Sequence, residues 1–261
     1  MPETAEPVQL APQTRAAFER YITEAELAMQ PCFGGLVSSL WPELKPELSQ
    51  RIRDGQICAE SWFGKGPIHV PDGLIHDWIG AAFVPGATLT TTLTLIQNYD
   101  NHKNIYKPEV IDSRLLSHEG NDFQISLRLR KKKVVTVVLD TYHDVHYAEV
   151  SSTRWTCRSL TTSIREVEHA GTAKEVAFAT DAGHGYMWRL NSYWNFEQRD
   201  AGVWLECRAI SLSRDIPKGL AWIIEPIIRK LPRESLIHTL QRTRQALILG
   251  KTPPVSTAER T

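Results

Sequence analysis

The pattern of apolar and polar residues changes its period in the last quarter of the chain. Between residues 121 and 213 apolar and polar positions mostly alternate, which predicts strands with one dry and one wet face. From Leu220 to Leu247 apolar residues recur every three or four positions, which predicts a helix with one apolar face. The sequence therefore predicts many antiparallel strands followed by one long closing helix.

Two prolines, Pro226 and Pro232, interrupt the apolar stripe of this closing helix. A proline inside a helix removes a backbone hydrogen bond and bends the axis. We therefore expect a helix in two parts. Either Pro226 kinks it, so that its first half acts as a lid beside Trp222, or each proline begins a new helical segment.

The same reasoning places the other elements along the chain. Thr14 is a suitable N-cap for a first helix, Pro31 is expected to stop that helix near Met29, and a short second helix ends at Arg53. Further helices are predicted over 88–97 and 100–106, strands over 56–63, 74–84, 108–116, 122–130, 135–147, 153–167, 185–196 and 203–213, hairpin turns at 118–121 and 200–202, and loops over 64–73 and 169–183.

Two stretches carry a resemblance to a known superfamily. Residues 84–116, VPGATLTTTLTLIQNYDNHKNIYKPEVIDSRLL, resemble its two short helices and following strand, and residues 209–247, AISLSRDIPKGLAWIIEPIIRKLPRESLIHTLQRTRQAL, resemble its last strand and gripping helix. On these residues the chain resembles the START-like or SRPBCC superfamily over about 74–249. That superfamily includes steroid and lipid carriers, plant allergen-like proteins, and polyketide cyclases and aromatases.

The resemblance implies an α+β helix-grip fold, in which a curved antiparallel β-sheet wraps around a long C-terminal helix and encloses a cavity. We expect residues 1–55 to form a tail and a helical extension, 56–250 the helix-grip domain, and 251–261 a flexible tail. Residues 1–55 hold too few apolar side chains for a core of their own.

Composition excludes some partners and leaves others open. Thirty basic residues balance thirty acidic ones, so no electrostatic footprint for nucleic acid is present. No apolar run is long enough for stable membrane insertion, and no signal peptide is visible. The four cysteines lie far apart and are expected to be buried thiols in a reduced cytoplasm. The sequence does not indicate the oligomeric state.

Aromatic residues in the strand over 185–196 are expected to form the wall of a hydrophobic pocket, with polar residues of the same strand binding the polar end of a ligand. An ordinary sheet with a polar surface is the alternative interpretation. The candidate ligand-binding residues are Trp78, Trp188, Trp194, Trp222, Ile223, Ile227, His76, Arg189, Asn191 and Glu206.

Three further groups of titratable side chains are candidates for a catalytic or metal-binding role. Asp77 follows His76 inside an apolar strand and is expected to be a buried, hydrogen-bonded carboxylate. The two residues are not expected to form an acid–base pair, because neighbouring strand residues face opposite sides of the sheet. Glu206 and Arg208 are expected to form a salt-bridged rim rather than a catalytic pair. The histidines lack metal-ligand spacing, so we expect no metal and no cofactor.

No catalytic motif identifies a reaction, and the sequence names no catalytic residue. The favoured hypothesis is binding or transport of a hydrophobic small molecule, such as a lipid, sterol, isoprenoid or polyketide, in a cavity between sheet and closing helix. The alternatives are a cyclase, dehydratase or hydrolase acting on a bound aromatic or polyketide substrate, and a scaffolding protein without a ligand. Two titratable side chains converging in the cavity would favour the enzyme.

Overall fold

A computed structural model of the chain describes residues 7–33, 40–64, 66–132, 136–215 and 221–250. At 32–33, 42, 44 and 221–229 it describes the backbone and not the side chains.

Within these residues the chain forms twelve strands and five α-helices. The strands are β1 (Val8–Gln9), β2 (Cys58–Ser61), β3 (Ile68–Val70), β4 (Gly73–Pro85), β5 (Val110–Glu119), β6 (Asp122–Lys132), β7 (Thr136–Ser151), β8 (Arg154–Glu168), β9 (Val176–Ala177), β10 (Ala182–Gly183), β11 (Arg189–Arg199) and β12 (Gly202–Arg214). The helices are α1 (Pro12–Phe33), α2 (Pro46–Arg53), α3 (Leu89–Gln97), α4 (His102–Ile105) and α5 (Ala221–Leu249), with 3₁₀ turns at Trp41–Leu44 and Tyr99–Asn101.

One large antiparallel sheet organises the molecule. Its strands lie in the order β2-β4-β12-β11-β8-β7-β6-β5, with β3 also paired to β4 and β9 to β8. The short β1 pairs separately with β10. The long hairpins form because apolar residues alternate with polar ones along each strand, as the sequence predicts.

Helix α5 packs against one face of this sheet, which we call the inner face. Leu236 and Leu240 of α5 join the core there with Ala82, Phe196 and Leu205. The helix approaches closely at Gly80, where an added Cβ would lie 2.9 Å from a methyl carbon of Leu240. The predicted helix-grip fold, an antiparallel sheet with a long C-terminal helix and an N-terminal helical extension, is confirmed.

The N-terminal extension covers the opposite face, which we call the outer face. Phe18 of α1 packs with Ile75 and Leu212, and Ile52 of α2 packs with Phe83. These contacts bury the outer face of β4 and β12 under α1 and α2, so the central strands have a protein layer on both sides.

Local sequence explains two of the connections. The Oγ1 of Thr88 accepts a hydrogen bond of 3.1 Å from the backbone N–H of Thr91, a cap that supports α3 despite its four threonines. Asp200 and Ala201 have φ values of 57° and 55°, as a two-residue hairpin turn between β11 and β12 requires.

Several predicted boundaries were wrong. Helix α1 continues through Pro31 to Phe33. The backbone of α5 is one continuous helix across Pro226 and Pro232, so the alternative in which each proline begins a new segment was wrong, whereas a kink at Pro226 stays a prediction. The predicted loop over 64–73 contains β3, and the loop over 169–183 contains β9 and β10. β10 pairs with the distant β1, whereas β3 and β9 pair with the neighbouring β4 and β8. All three strands have only two or three residues, which is too short for a pattern of alternation. The domain boundaries after residues 55 and 250 stay a prediction.

Candidate functional site

The accessible side of the central strands is the inner face. Trp78 on β4, Ala209 on β12, and Leu190, Ser192 and Trp194 on β11 face inward and are partly exposed. Their outer-face neighbours are buried, namely Asp77, Ile79, Asn191, Tyr193, Asn195, Arg208 and Ile210. Since polar strand residues usually face water, this arrangement is the reverse of an ordinary surface sheet.

These inward residues form what we call the inner trough: Trp78, Leu190, Ser192, Trp194, Ala209 and Ser159. One row of the sheet register crosses it, pairing Trp78 with Ala209, Ala209 with Ser192, and Ser192 with Ser159. Three consecutive positions in this row carry small side chains. The row lies next to the close contact of α5 at Gly80, and its side chains stay partly exposed there.

Aromatic rings lie in and beside this row of small residues. Trp78 and Trp194 both pack against the core beneath α5 while keeping part of their surface exposed. Trp194 also stacks on Phe196, with ring centres 5.7 Å apart. Partly exposed indoles facing inward provide flat apolar surface for a ligand.

Two buried histidines extend the inner face with uncharged polar groups. The Nε2 of His76 lies 3.2 Å from the Oγ of Ser213, and the Nε2 of His143 lies 2.9 Å from the Oγ1 of Thr141. Burial lowers the pKa of each histidine to about 4, because the charged form loses its hydration. Both imidazoles are therefore neutral at physiological pH.

Three of the predicted binding residues, Trp78, Trp194 and His76, lie on the inner face. Four others lie away from it: Trp188, Arg189, Asn191 and Glu206. Trp222, Ile223 and Ile227 belong to the first turns of α5, and their side chains lie outside the described residues.

Trp188 does not continue the aromatic row of Trp194, because β11 begins only at Arg189. It packs against Phe18 and Leu212 under α1 and lines a surface cleft of about 260 Å³ with Thr14 and Arg214. Alternation applies only within a strand, so the predicted parity of Trp188 was wrong.

The predicted polar binding residues Arg189, Asn191 and Glu206 make hydrogen bonds on the outer side of the molecule. Arg189 donates a 2.6 Å hydrogen bond to Asp181, and the Oδ1 of Asn191 accepts one of 3.3 Å from the backbone of Thr161. Glu206 accepts a 2.5 Å hydrogen bond from the backbone N–H of Trp41. The salt-bridged rim expected at Glu206 is therefore a set of contacts beneath the N-terminal extension.

Burial dominates the electrostatics of Glu206 and raises its pKa to about 7. Three neighbours lower this pKa: the N–H of Trp41, the charge of Arg154 and the side chain of Asn195. The carboxyl is thus poised to change protonation near neutral pH.

Asp77 is buried and satisfied, as predicted from its place in an apolar strand. Arg208 donates to both of its oxygens, at 3.0 and 2.6 Å, and the hydroxyl of Tyr21 donates at 2.6 Å. The ring of Trp62 covers the guanidinium at 4.1 Å. This cluster fastens α1 to the sheet and faces away from the inner trough.

Ser192, Ala209 and Ser213 were missed from the sequence. Small residues at inward positions attract no attention in a pattern of apolar alternation. A run of small residues on one parity of a strand, alternating with the large residues Arg208, Ile210, Leu212 and Arg214 on the other, is the signal that would have found Ala209, Ser211 and Ser213.

Among the described residues, no group of three or more histidine, cysteine, aspartate or glutamate side chains is placed to hold a metal ion. Cys58, Cys157 and Cys207 are buried free thiols. No helix in the described part of the chain is long and apolar enough to cross a membrane.

No protein-family model and no curated protein matches the sequence. Among solved structures, similar ones include a Thermus thermophilus protein (12% identity, 67% of this chain and 98% of that chain, TM-score 0.48) and a STAR-related lipid transfer protein from Xanthomonas axonopodis (14%, 70% and 99%, 0.46). An aromatase/cyclase from a Streptomyces species is similar at 9% identity, over 67% of this chain and 94% of that chain, with a TM-score of 0.43. At these scores we take nothing about the ligand or the reaction from them.

Proposed function

We propose that the protein binds a hydrophobic small molecule in the inner trough, between the sheet and α5. The observation that carries this proposal is the reversed exposure of the central strands. Trp78, Ser192 and Trp194 keep accessible surface on the face that a helix covers, while the opposite face is closed.

Burial of apolar ligand surface against the two indoles supplies the affinity, at roughly 25 cal/mol per Å². The small side chains of Ser192 and Ala209 define where the ligand lies, because larger ones would occupy the same space. Uncharged polar side chains at the edge of the trough, such as His76, orient the ligand, and the ligand needs no charge to bind them.

Filling the trough tests the proposal. Ser192→Phe places a ring in the middle of the small-residue row, and Ser117→Phe places the same ring on the exposed edge strand β5 as a matched control. In a titration with an apolar fluorescent dye, we expect Ser192→Phe to weaken binding at least about tenfold. Equal affinity in the two variants would overturn the proposal.

A cyclase or dehydratase is the second candidate, and one observation favours it. His76 and His143 are neutral imidazoles beside hydroxyl groups on the inner face, and a neutral imidazole is able to act as a general base. Turnover of an aromatic polyketide that is lost in His143→Phe, with dye affinity unchanged, would support this second candidate.

A further inference from the structure

The edge of the inner trough carries polar atoms that have no protein partner. His76 on β4 is directly opposite Ser211 on β12, and both residues are more than nine-tenths buried. Within the described part of the chain, Nε2 of His76 contacts Ser213, whereas Nδ1 of His76 and Oγ of Ser211 have no hydrogen-bond partner. Each of these two atoms is able to pair with a polar group that the chain itself does not supply.

The charged side chains of the central strands beneath the trough face away from it. Every charged side chain of β4, β11 and β12, three strands that the structure describes in full, is on the outer face: Asp77, Arg189, Glu197, Arg199, Glu206, Arg208 and Arg214. On β8, Arg154 and Arg158 are opposite outer-face residues in the same way. The floor of the trough therefore offers hydrogen bonds without a countercharge.

We propose that the polar end of the ligand is an uncharged oxygen, a hydroxyl or a carbonyl, and that Nδ1 of His76 and Oγ of Ser211 bind it. A hydroxyl both donates and accepts, which matches a neutral imidazole nitrogen next to a serine hydroxyl. An ionised carboxylate or a phosphate would lose its hydration here without gaining an opposite charge from β4, β11 or β12, at a high cost. This inference rests on the proposed function and narrows its ligand class to neutral lipids and related alcohols or ketones.

The neutrality of the site holds over the working pH range. Burial keeps the pKa of His76 near 4, so the imidazole carries no charge that would attract an anion. The hydrogen bond with Ser213 holds the imidazole ring in place and leaves Nδ1 available to the ligand.

The first experiment compares two ligands that differ only at the polar end. Decanol and decanoate displace an apolar dye from the wild-type protein at pH 8, where the acid is ionised. We expect decanoate to bind at least about tenfold more weakly than decanol, because the charge is buried without a partner. Decanoate binding as tightly as decanol would overturn the inference.

The second experiment removes the two partner atoms. We expect Ser211→Ala and His76→Phe each to weaken decanol binding by about two- to tenfold, the value of one hydrogen bond. Ser117→Ala and His69→Phe, at exposed positions, serve as controls. Ser211→Ala removes a single oxygen atom and should not disturb the fold. Unchanged decanol affinity in this variant would refute the role of Ser211 in binding the ligand. Failure of the dye itself to bind would instead refute the proposed function.

Discussion

Arg208 on β12 and Asp77 on β4 form a two-point ion pair on the outer face, with N···O distances of 3.0 and 2.6 Å. Both side chains are almost fully buried. The hydroxyl of Tyr21 on α1 adds a third hydrogen bond to the same carboxylate. A charged pair on the sheet thus becomes the attachment point of the N-terminal helix.

Removing one member of this pair should be costly. We expect Asp77→Ala to lower the free energy of unfolding by about 3–5 kcal/mol, because Arg208 would stay buried without its partner. Urea unfolding measures the change. Asp122→Ala, which removes an exposed carboxylate paired with His146, should change it by less than about 1 kcal/mol. Equal losses in the two variants would contradict the role of the buried pair.

Two tryptophans close in sequence should behave differently. Trp194 lies on the inner face and Trp188 packs under α1. We expect Trp194→Leu to weaken binding of an apolar dye by about 1–2 kcal/mol. Trp188→Leu should instead lower stability and leave the dye affinity of the folded protein unchanged. Dye titration and thermal unfolding of both variants measure the two effects, and the opposite result would place the site on the outer side.

Glu206 gives the stability of the protein a pH dependence of definite sign. Its folded pKa, about 7, lies above that of a free carboxyl, so the folded state binds the proton more tightly. The contribution of Glu206 to stability is therefore present below about pH 4.5 and is lost as pH rises to 7. We expect Glu206→Gln to gain stability relative to wild type between pH 5 and 8, by of order 1–3 kcal/mol. A constant difference across that range would exclude the raised pKa.

The buried histidines act in the opposite direction. Burial lowers the pKa values of His76, His102 and His143 to about 4. Their contribution is complete above about pH 6.5 and is lost as pH falls to 4. We expect His143→Gln to flatten the loss of stability between pH 6.5 and 4 by of order 1–3 kcal/mol. Urea unfolding at each pH measures this loss. The same loss of stability between pH 6.5 and 4 in His143→Gln and in wild type would count against a neutral buried imidazole.

Sequence periodicity predicts most of the fold because each long element has a strong pattern of its own. The strands β4, β6, β8 and β12 and the helix α5 lie within a few residues of their predicted bounds. The α3 cap at Thr88 and the turn at Asp200 follow from local chemistry in the same way.

Which face of the strands would line a ligand site could not be predicted from the sequence. Charged residues such as Arg208 and Glu206 share one parity, and that parity normally faces water. Here residues of the N-terminal extension cover it. Tyr21 donates to Asp77 from 56 positions away in sequence, and the backbone of Trp41 donates to Glu206 from 165 positions away. No local pattern reports a partner so distant along the chain.

Photo-crosslinking of a ligand to the protein tests the central claim most directly. A decanol analogue with a diazirine on its alkyl chain is irradiated with the purified protein, and the labelled residues are mapped by peptide mass spectrometry. The proposal predicts labelling of inner-face residues, chiefly Trp78, Ser192 and Trp194, and loss of that labelling in Ser192→Phe. Labelling confined to outer-face or edge residues such as Trp188 or Leu116, unaffected by Ser192→Phe, would contradict it.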